Sequence, residues 1–385
     1  MNGYMQPGNP KQVIMVYPSI GYAGGVERVM AEVLKFLAEN GIQIHAICSD
    51  IDPRLQALCH SCQPLPLKKS KHRLIDLYFQ AQWMYRSGKI ARSFSKANTK
   101  IISAPCAVFA ADIVMAGSCH LAAQYERLTK GSFKWLLNPR HWFYIFSEGS
   151  IFFGNNPQIL VPSQRTQSEI NRFYRWTKGR TDVVPHGVDL EVFSPSDSVR
   201  AEVTSRLGIN KDAVILLTVT NEIKRKGCFQ VLESLRLIQD PKAQFHYIVV
   251  GRDDPSDFLN KAKEMGLSEV VSVLPGAQGQ DLAKLYQGAD LFILPTEYES
   301  FGLVGMEALA CGLPVLCTRV GGLEDYVTDG IDGIFVERNG KSIAAGLEVF
   351  LGLTPHQKIA MKLYAAIKSR SYKWKEVLHP ILKLL

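Results

Sequence analysis

Two carboxylates, Glu299 and Glu307, stand with seven residues between them at the junction of two secondary-structure patterns. An apolar run over residues 290–295 predicts a strand, and residues 301–311 predict a short helix that ends at Gly312. Loops at the carboxyl ends of parallel strands line ligand crevices, and a helix start offers N–H groups and partial positive charge that suit a phosphate. The junction therefore predicts a ligand site.

Each polar group at this junction has a use in that interpretation. Glu299, in the loop, could accept hydrogen bonds from sugar hydroxyls, and Glu307, inside the helix, could take both hydroxyls of a ribose. Gly302 and Gly305 would let a ligand come close to the backbone. One helix entrance could thus hold a nucleotide-sugar at both ends. The alternative is that both glutamates are solvated surface acids.

A basic run, Lys224-Arg225-Lys226-Gly227, follows another predicted strand over residues 213–219 and opens a helix. A diphosphate at a helix start requires fixed cations, which arginine supplies as a planar fork and lysine as a point charge. A solvated charged face is the other interpretation of such a run.

The segment from Glu299 to Glu307, ESFGLVGME, resembles the E-x7-E signature of the family 4 glycosyltransferases. The flanks, DLAKLYQGADLFILPT and EALACGLPVLCTRVGG, resemble the family as well. The resemblance implies an α/β protein of the GT-B fold, in which two Rossmann-like domains with parallel sheets face a central cleft. It further implies a retaining hexosyltransferase with a nucleotide-diphosphate sugar donor, expected to be UDP-linked, and neither a metal ion nor another cofactor. Asp253-Asp254 is not a D-x-D metal motif in a useful context.

The resemblance also assigns roles to individual residues. The expected catalytic residues are Glu299, His120, Lys226 and Arg225. The expected donor-binding residues are Gly24, Gly25, Arg225, Lys226, Gly251, Ala277, Ser300, Phe301, Gly302, Leu303 and Glu307. Many members carry an arginine at the position of Asn221, whereas some carry the basic residue directly before the lysine, as Arg225 stands here. The two cations and the helix start near Phe301 would stabilise charge on the leaving diphosphate.

The N-terminal half opens with a βαβ pattern: a strand over residues 13–17, a helix over 26–40 and a strand over 42–48. The intervening glycine loop, residues 21–28, is not G-x-G-x-x-G, so the dinucleotide fingerprint is missing. The loop could cradle a phosphate, and it resembles the glycine loop that faces donor and acceptor in the family.

His120 follows a predicted strand, in the loop where the family carries a polar residue near the transferred sugar. The segments GSCHLAAQYE and ILVPSQRTQSEINRFY resemble sugar transferases of the lipopolysaccharide-core type, which makes such a glycan or a glycolipid the expected acceptor. Glu148 is a weaker candidate for the same site. A lone histidine is more often structural, and that alternative stays open.

The chain has 385 residues and a net charge of +8, which predicts two domains and an anionic partner. No nucleic-acid-binding signature is visible, so a phosphorylated ligand or an anionic membrane surface is expected. Residues 64–96 and 133–146 mix cations with aromatic residues, as segments at a membrane surface do. A solvated charge run and an ordinary core helix are the alternatives.

Eight cysteines are scattered through the chain, and only Cys59 and Cys62 have C-x-x-C spacing. They are interpreted as reduced thiols of a cytoplasmic protein. A peripheral position of that protein at the inner face of the cytoplasmic membrane stays open. The segment VVPHGVD, residues 183–189, resembles the family's interdomain N-G-V-D segment, with His186 in place of asparagine. The predicted domains are 1–188 with a returning terminal helix 371–385, and 189–370.

Three other functions compete with sugar transfer. A GT-B sugar-nucleotide epimerase would use the same donor site. A catalytically silent, membrane-associated scaffold would have lost it, although the chain keeps Glu299, Glu307 and Lys226. A nicotinamide dehydrogenase fits poorly, because its glycine fingerprint is missing.

Overall fold

The structure is a computed structural model that describes residues 11–94, 99–129, 131–196, 198–240 and 244–385, without the side chain of Lys134. The start of the chain and the last residues of the predicted basic stretch 64–96 lie outside these ranges. The chain forms two compact units, Met1–Pro185 with Leu378–Leu385, and His186–Val377.

The observed division differs from the predicted one at the second chain connection. The predicted returning helix 371–385 begins too early, because the amide of Val188 donates to the carbonyl of Tyr372 at 2.7 Å within the second unit. The segment is also not one helix. A short α-helix, Trp374–Leu378, gives way to a 3-10 helix, His379–Leu384, where Pro380 has no N–H to continue an α-helix.

The described part of the first unit contains a seven-stranded parallel sheet and a separate pair of two-residue strands. The strands in chain order are β1 (Gln12–Val16), β2 (Ser19–Ile20), β3 (Gln43–Cys48), β4 (Asp50–Ile51), β5 (Ser61–Pro64), β6 (Thr99–Ser103), β7 (Ile113–Met115), β8 (Gln158–Val161) and β9 (Thr181–Val183). The large sheet has the order β5-β3-β1-β6-β7-β8-β9, and β2 pairs with β4. The order reverses between β1 and β6.

Helices cover this sheet. They are Gly25–Glu39, Pro53–Gln56, Arg73–Phe94, His120–Thr129, Pro139–Phe153 and Gln164–Phe173, with 3-10 turns at Lys134–Leu137 and Arg175–Thr177. Strand β1 is buried over Val13, Ile14, Met15 and Val16, as expected for a parallel strand covered on both faces. His120 begins a helix, rather than lying in the predicted loop.

The described part of the second unit contains a six-stranded parallel sheet of order β12-β11-β10-β13-β14-β15. Its strands are β10 (Val214–Val219), β11 (Phe245–Gly251), β12 (Val271–Pro275), β13 (Leu291–Leu294), β14 (Val315–Cys317) and β15 (Gly333–Phe335). Its helices are Arg200–Leu207, Cys228–Leu237, Ser256–Glu264, Gly279–Gly288, Leu303–Ala310, Leu323–Tyr326, Gly340–Gly352, Pro355–Ser369 and the start of Trp374–Leu378. The predicted strands at residues 213–219 and 290–295 match β10 and β13 to within about a residue at each end.

Alternate residues of each strand enter different hydrophobic cores. Ile215 and Leu217 of β10 pack into one core, and Leu216 packs into the other. Phe301 and Met306 belong to the same core as Ile215. The helix Leu303–Ala310 is therefore seated on one face of the sheet, which fixes the loop before it. The fold is α/β with two domains of parallel sheets, as predicted.

Among the residues that the structure describes, no helix combines the length and the apolar character needed to cross a membrane.

Candidate active site

The order of the second sheet reverses between β10 and β13, and ligand sites of open parallel sheets lie at such a reversal, beyond the carboxyl ends of the strands. The basic run Lys224-Arg225-Lys226 follows β10, and the loop that carries Glu299 follows β13. The topology thus brings together two segments that are far apart in the sequence.

Lys226 and Glu299 are in direct contact, with the ammonium Nζ on the carboxylate Oε1. Their side chains are only 11% and 10% exposed. Burial, and then the neighbouring Arg225, lower the pKa of Lys226 to about 7. The Glu299 carboxylate favours the charged form of Lys226 and works against this lowering. Glu299 is thus not the solvated surface acid of the alternative interpretation.

Gly227 makes this approach of the two loops possible. Its φ is +82°, and a Cβ at this position would lie 2.2 Å from the carbonyl oxygen of Pro295. Only glycine combines the left-handed backbone with the missing side chain. The signal in the sequence was the glycine directly after the basic run.

Arg225 also ties the two loops together. Its Nη1 donates to the carbonyl oxygen of Tyr298 at 2.6 Å, and its Nη2 pairs with Glu222. The side chain of Asn221 accepts a hydrogen bond from the amide of Arg252 at 2.9 Å, so it orders the loop after β11. Of the two positions considered for the family arginine, Arg225 is the one in contact with the loop that carries Glu299.

The loop from Glu299 to Leu303 is fixed mainly by apolar packing. Phe301 is 1% exposed, and its ring lies 5.1 Å from His186 and 5.2 Å from Tyr326. The predicted role of Phe301 in donor binding can therefore involve its backbone but not its buried ring. Ser300 remains half-buried, and Leu303 begins the helix.

Gly302 and Gly305 have a structural role that the sequence interpretation did not include. A Cβ on Gly302 would lie 3.0 Å from the hydroxyl of Tyr326, and one on Gly305 would lie 2.4 Å from it. That hydroxyl donates to the carbonyl of Gly302 at 2.7 Å. These glycines make room for Tyr326. The predicted approach of a ligand to their backbone stays a prediction.

Glu307 lies inside the helix and is 2% exposed, so it is not a surface acid either. The hydroxyl of Tyr286 donates to its Oε2 at 3.1 Å. A buried carboxylate held by a phenol is a fixed acceptor. Its predicted role toward a ribose stays a prediction.

Two other predicted donor residues of this unit are Gly251, which ends β11, and Ala277, which follows β12. A Cβ on Gly251 would lie 1.6 Å from the carbonyl oxygen of Thr220, so glycine is required for the loops after β10 and β11 to pack. Ala277 is half-buried against the core. Neither observation tests a contact with a donor base.

The sequence interpretation missed Gly321 and Gly322. A Cβ on Gly321 would lie 1.7 Å from the carbonyl oxygen of Glu299, and one on Gly322 would lie 2.7 Å from the Cα of Phe301. The amide of Gly322 donates to the carbonyl of Ser300 at 3.1 Å. The glycine pair in TRVGG was the available signal in the sequence. The two glycines pack against the backbone of the loop that carries Glu299.

In the first unit, Gly24 and Gly25 stand at the start of the helix Gly25–Glu39. A Cβ on Gly24 would meet the carboxylate of Glu27, and one on Gly25 would meet nothing within 4 Å. The acidic side chain in the first turn competes with a phosphate for this helix start. The predicted contact of both glycines with the donor stays a prediction.

His120 and Glu148 lie together. The carboxylate of Glu148 accepts the backbone N–H of His120 with both oxygens, at 2.8 and 3.0 Å, and the hydroxyl of Tyr174 donates to it at 3.0 Å. Burial raises the pKa of Glu148 to about 7. Glu148, the weaker candidate for the active site, thus fixes the position of His120.

The cysteines of the described chain are free thiols. The Sγ atoms of Cys48 and Cys62 lie 3.6 Å apart, whereas Cys59 contacts the carbonyl of Leu55. The close pair is therefore not the one with C-x-x-C spacing. No group of three or more His, Cys, Asp or Glu side chains that could hold a metal ion occurs among the described residues.

Two family models match the chain. Glycosyl transferases group 1 matches residues 199–374, and Glycosyltransferase Family 4 matches residues 23–192. A D-inositol 3-phosphate glycosyltransferase of Geodermatophilus obscurus is 27% identical, over 87% of this chain and 79% of that protein.

Two solved structures share the fold along nearly the whole chain. WaaG, a glycosyltransferase involved in lipopolysaccharide biosynthesis, has a TM-score of 0.79 at 19% identity, over 97% of this chain and 98% of WaaG. Anabaena HepE in complex with UDP-glucose has a TM-score of 0.70 at 15% identity, over 97% and 98% of the two chains. Both units match the family models and share this architecture, and the chain therefore belongs to the group 1 glycosyl transferases of the GT-B fold.

Proposed function

We propose that this chain is a retaining hexosyltransferase that uses a nucleotide-diphosphate hexose, with UDP as the nucleotide, and needs no metal ion. The observation that carries the proposal is the buried contact between Lys226 and Glu299 beyond β10 and β13. An ammonium suits the diphosphate of such a donor, and a carboxylate suits the hydroxyls of its sugar. The resting pair thus offers complementary partners to both halves of one ligand.

Positive charge from the protein itself would replace a metal. The leaving diphosphate gains negative charge during transfer, and preorganised donors stabilise it. Lys226, Arg225 and the N–H groups at the start of the helix Leu303–Ala310 are the expected donors. A guanidinium has five N–H donors, and the contacts with Tyr298 and Glu222 leave others for a phosphate.

The choice of donor and acceptor follows the similar proteins. HepE was solved with UDP-glucose, WaaG takes part in lipopolysaccharide biosynthesis, and the relative from Geodermatophilus obscurus is named for D-inositol 3-phosphate. We expect a UDP-hexose as donor and a lipopolysaccharide core or another surface glycan as acceptor. D-inositol 3-phosphate is the small acceptor to test beside it.

Calorimetry and a transfer assay test the proposal. UDP, GDP, ADP and their hexose conjugates are titrated into the full chain with a chelator present, and the anomeric configuration of any product is read by NMR. Lys226→Ala and Glu299→Gln should abolish transfer, whereas Lys224→Ala removes an exposed cation two residues away and should not. Absence of donor binding by the folded protein, a requirement for added metal, or an inverted product would each contradict the proposal.

We further propose that the first unit docks on an anionic membrane, where a glycolipid acceptor would reside. The docking surface consists of the exposed side chains of residues 68–78, Phe133 and residues 135–142. Leu137 is 89% exposed and Leu74 is 69% exposed, although monomeric proteins rarely expose large apolar side chains in clusters. The ion pair of Arg140 with Asp76, at 3.2 Å, joins the two segments.

Cations accompany these apolar side chains. They are Lys68, Lys69, Lys71 and Arg73, all exposed. Each cation near an anionic leaflet contributes about 1 kcal/mol, and a buried leucine adds about 1.5–3 kcal/mol. The combination favours a lipid surface over a purely electrostatic partner.

Sedimentation with vesicles tests the docking surface. The protein should pellet with vesicles that contain phosphatidylglycerol, less at high salt, and not with phosphatidylcholine alone. Leu137→Glu should weaken pelleting, whereas Leu363→Glu, at a 59% exposed leucine of the second unit, is the matched control. Equal loss in both variants, or no pelleting at low salt, would remove the proposal.

A further inference from the structure

The ring of His120 lies in a cluster of nitrogen atoms. Its Nε2 is 3.0 Å from Nδ1 of His141 and 3.3 Å from the side-chain nitrogen Nε2 of Gln124. The guanidinium of Arg127 donates to the side-chain oxygen of Gln124 at 3.3 Å. Within the described part of the chain, the Nδ1 of His120 makes no hydrogen bond.

Arg127 decides how this cluster is protonated. A guanidinium has only donors, so the amide of Gln124 must turn its oxygen toward Arg127 and its NH2 toward His120. The Nε2 of His120 then accepts a hydrogen bond and cannot itself carry a proton. His141 must then donate from its Nδ1, so that the lone pair on Nε2 of His120 accepts from both His141 and Gln124.

We propose that Gln124, His141 and Arg127 are positioning residues that hold His120 as a neutral imidazole with its proton on Nδ1. His120 is then a fixed hydrogen-bond donor toward a sugar oxygen, not a general base acting through Nε2. This inference rests on the proposed function only for the identity of the oxygen that receives the bond. The protonation of His120 follows from the contacts alone.

The surroundings of the ring favour the neutral form. Burial, His141 and Arg127 lower the pKa of His120 to about 4. Tyr144 packs edge-on against the ring at 5.2 Å. The carboxylate of Glu148 is occupied by the backbone N–H of His120 and by Tyr174, and so fixes the position of the residue.

Nitrogen-15 NMR of the full chain with labelled histidine tests the proposal without any activity. The His120→Gln variant identifies the signals of His120 by their loss. We expect the pattern of a neutral imidazole protonated at Nδ1 at pH 7, with charging only as the pH falls toward 4. A proton on Nε2, or an imidazolium at neutral pH, would overturn the inference.

Gln124→Glu provides the matching perturbation. A carboxylate accepts only, so it should move the proton of His120 to Nε2 and raise the pKa of His120 toward neutrality. Gln56→Glu adds the same charge at an exposed position of the same unit and should change neither. Unchanged His120 signals in folded Gln124→Glu would contradict the assignment. His141→Phe keeps the ring packing and removes one donor, which gives a second variant if the first does not fold.

Transfer activity then separates the two proposals. If His120 donates to the sugar, Gln124→Glu should lower kcat about tenfold, which corresponds to the loss of one hydrogen bond of about 1.4 kcal/mol. The pH dependence of kcat should change as well. The expected tautomer in a protein without transferase activity would leave this assignment intact and refute the proposed function. Full activity of Gln124→Glu with a shifted proton would refute the donor role of His120.

Discussion

Removal of one member of the Lys226–Glu299 pair should cost far more stability than removal of both. Lys226→Met leaves the Glu299 carboxylate without its cation at a side chain that is 10% exposed. An uncompensated buried charge of this kind costs about 3–5 kcal/mol. For a unit of this size, about 2–4 °C are lost per kcal/mol, so the unfolding temperature should fall on the order of 10 °C.

The double variant Lys226→Met with Glu299→Gln carries no charge at either position. Replacement of a buried ion pair by neutral groups is often without net cost, so most of the stability should return. Activity should not return, because the diphosphate still lacks its cation. Loss of one such electrostatic donor lowers kcat on the order of 100- to 1000-fold.

Scanning calorimetry of the full chain measures the stability of the four proteins in the cycle, and a transfer assay measures their kcat. Lys224→Met is the control, because Lys224 is exposed and lies in the same loop. Single variants with wild-type unfolding temperatures and additive effects in the double variant would show that the two charges do not form a buried pair. Recovery of kcat in the double variant would refute the role of Lys226 as the cation of the diphosphate.

Three further predictions concern the same unit. Gly227→Ala should destabilise the protein more than Gly266→Ala in thermal unfolding, because both have positive φ but only Gly227 would place its Cβ against a backbone oxygen. Tyr286→Phe should cost about 1.5–3 kcal/mol in denaturant unfolding and weaken donor binding, because it removes a hydrogen bond to the Glu307 carboxylate. Donor affinity should fall as the pH rises above about 7, where Lys226 of the protein without bound donor loses its proton. Binding should then take up protons, measured calorimetrically in buffers of different ionisation enthalpy, and Lys226→Arg should remove the effect.

The sequence predicted β1, β3, β10 and β13 to within about a residue at each end, since buried parallel strands are nearly continuous apolar runs. The run at 290–295 became β13, Leu291–Leu294, because all four of its residues are buried. The chain does return to the first unit at its end, but from Leu378 rather than from residue 371. The pattern does not reveal that Tyr372 pairs with Val188 in the second unit.

Side-chain partners across elements could not be read from spacing. The E-x7-E resemblance indicated Glu299, but nothing in the sequence shows that Lys226 reaches it from another strand end. The packing of Tyr326 against Gly302 could not be read from the sequence either. The hydrogen bonds of Glu148 to His120 also depend on the packing of separate helices.

Under the proposed function, the Lys226–Glu299 pair would let the site reject incomplete ligands. UDP alone would draw Lys226 away and leave the Glu299 carboxylate unpaired, and a free hexose would satisfy Glu299 but leave the ammonium unpaired. The loop cannot move to expose the unpaired charge to water, because Phe301 is packed against His186 and Tyr326 in the core. An unpaired buried charge costs several kcal/mol, so UDP alone or a hexose alone should bind more weakly than the whole donor. Under the proposed function, the rigid apolar packing of the loop would therefore make the charge pair selective for the whole nucleotide-sugar.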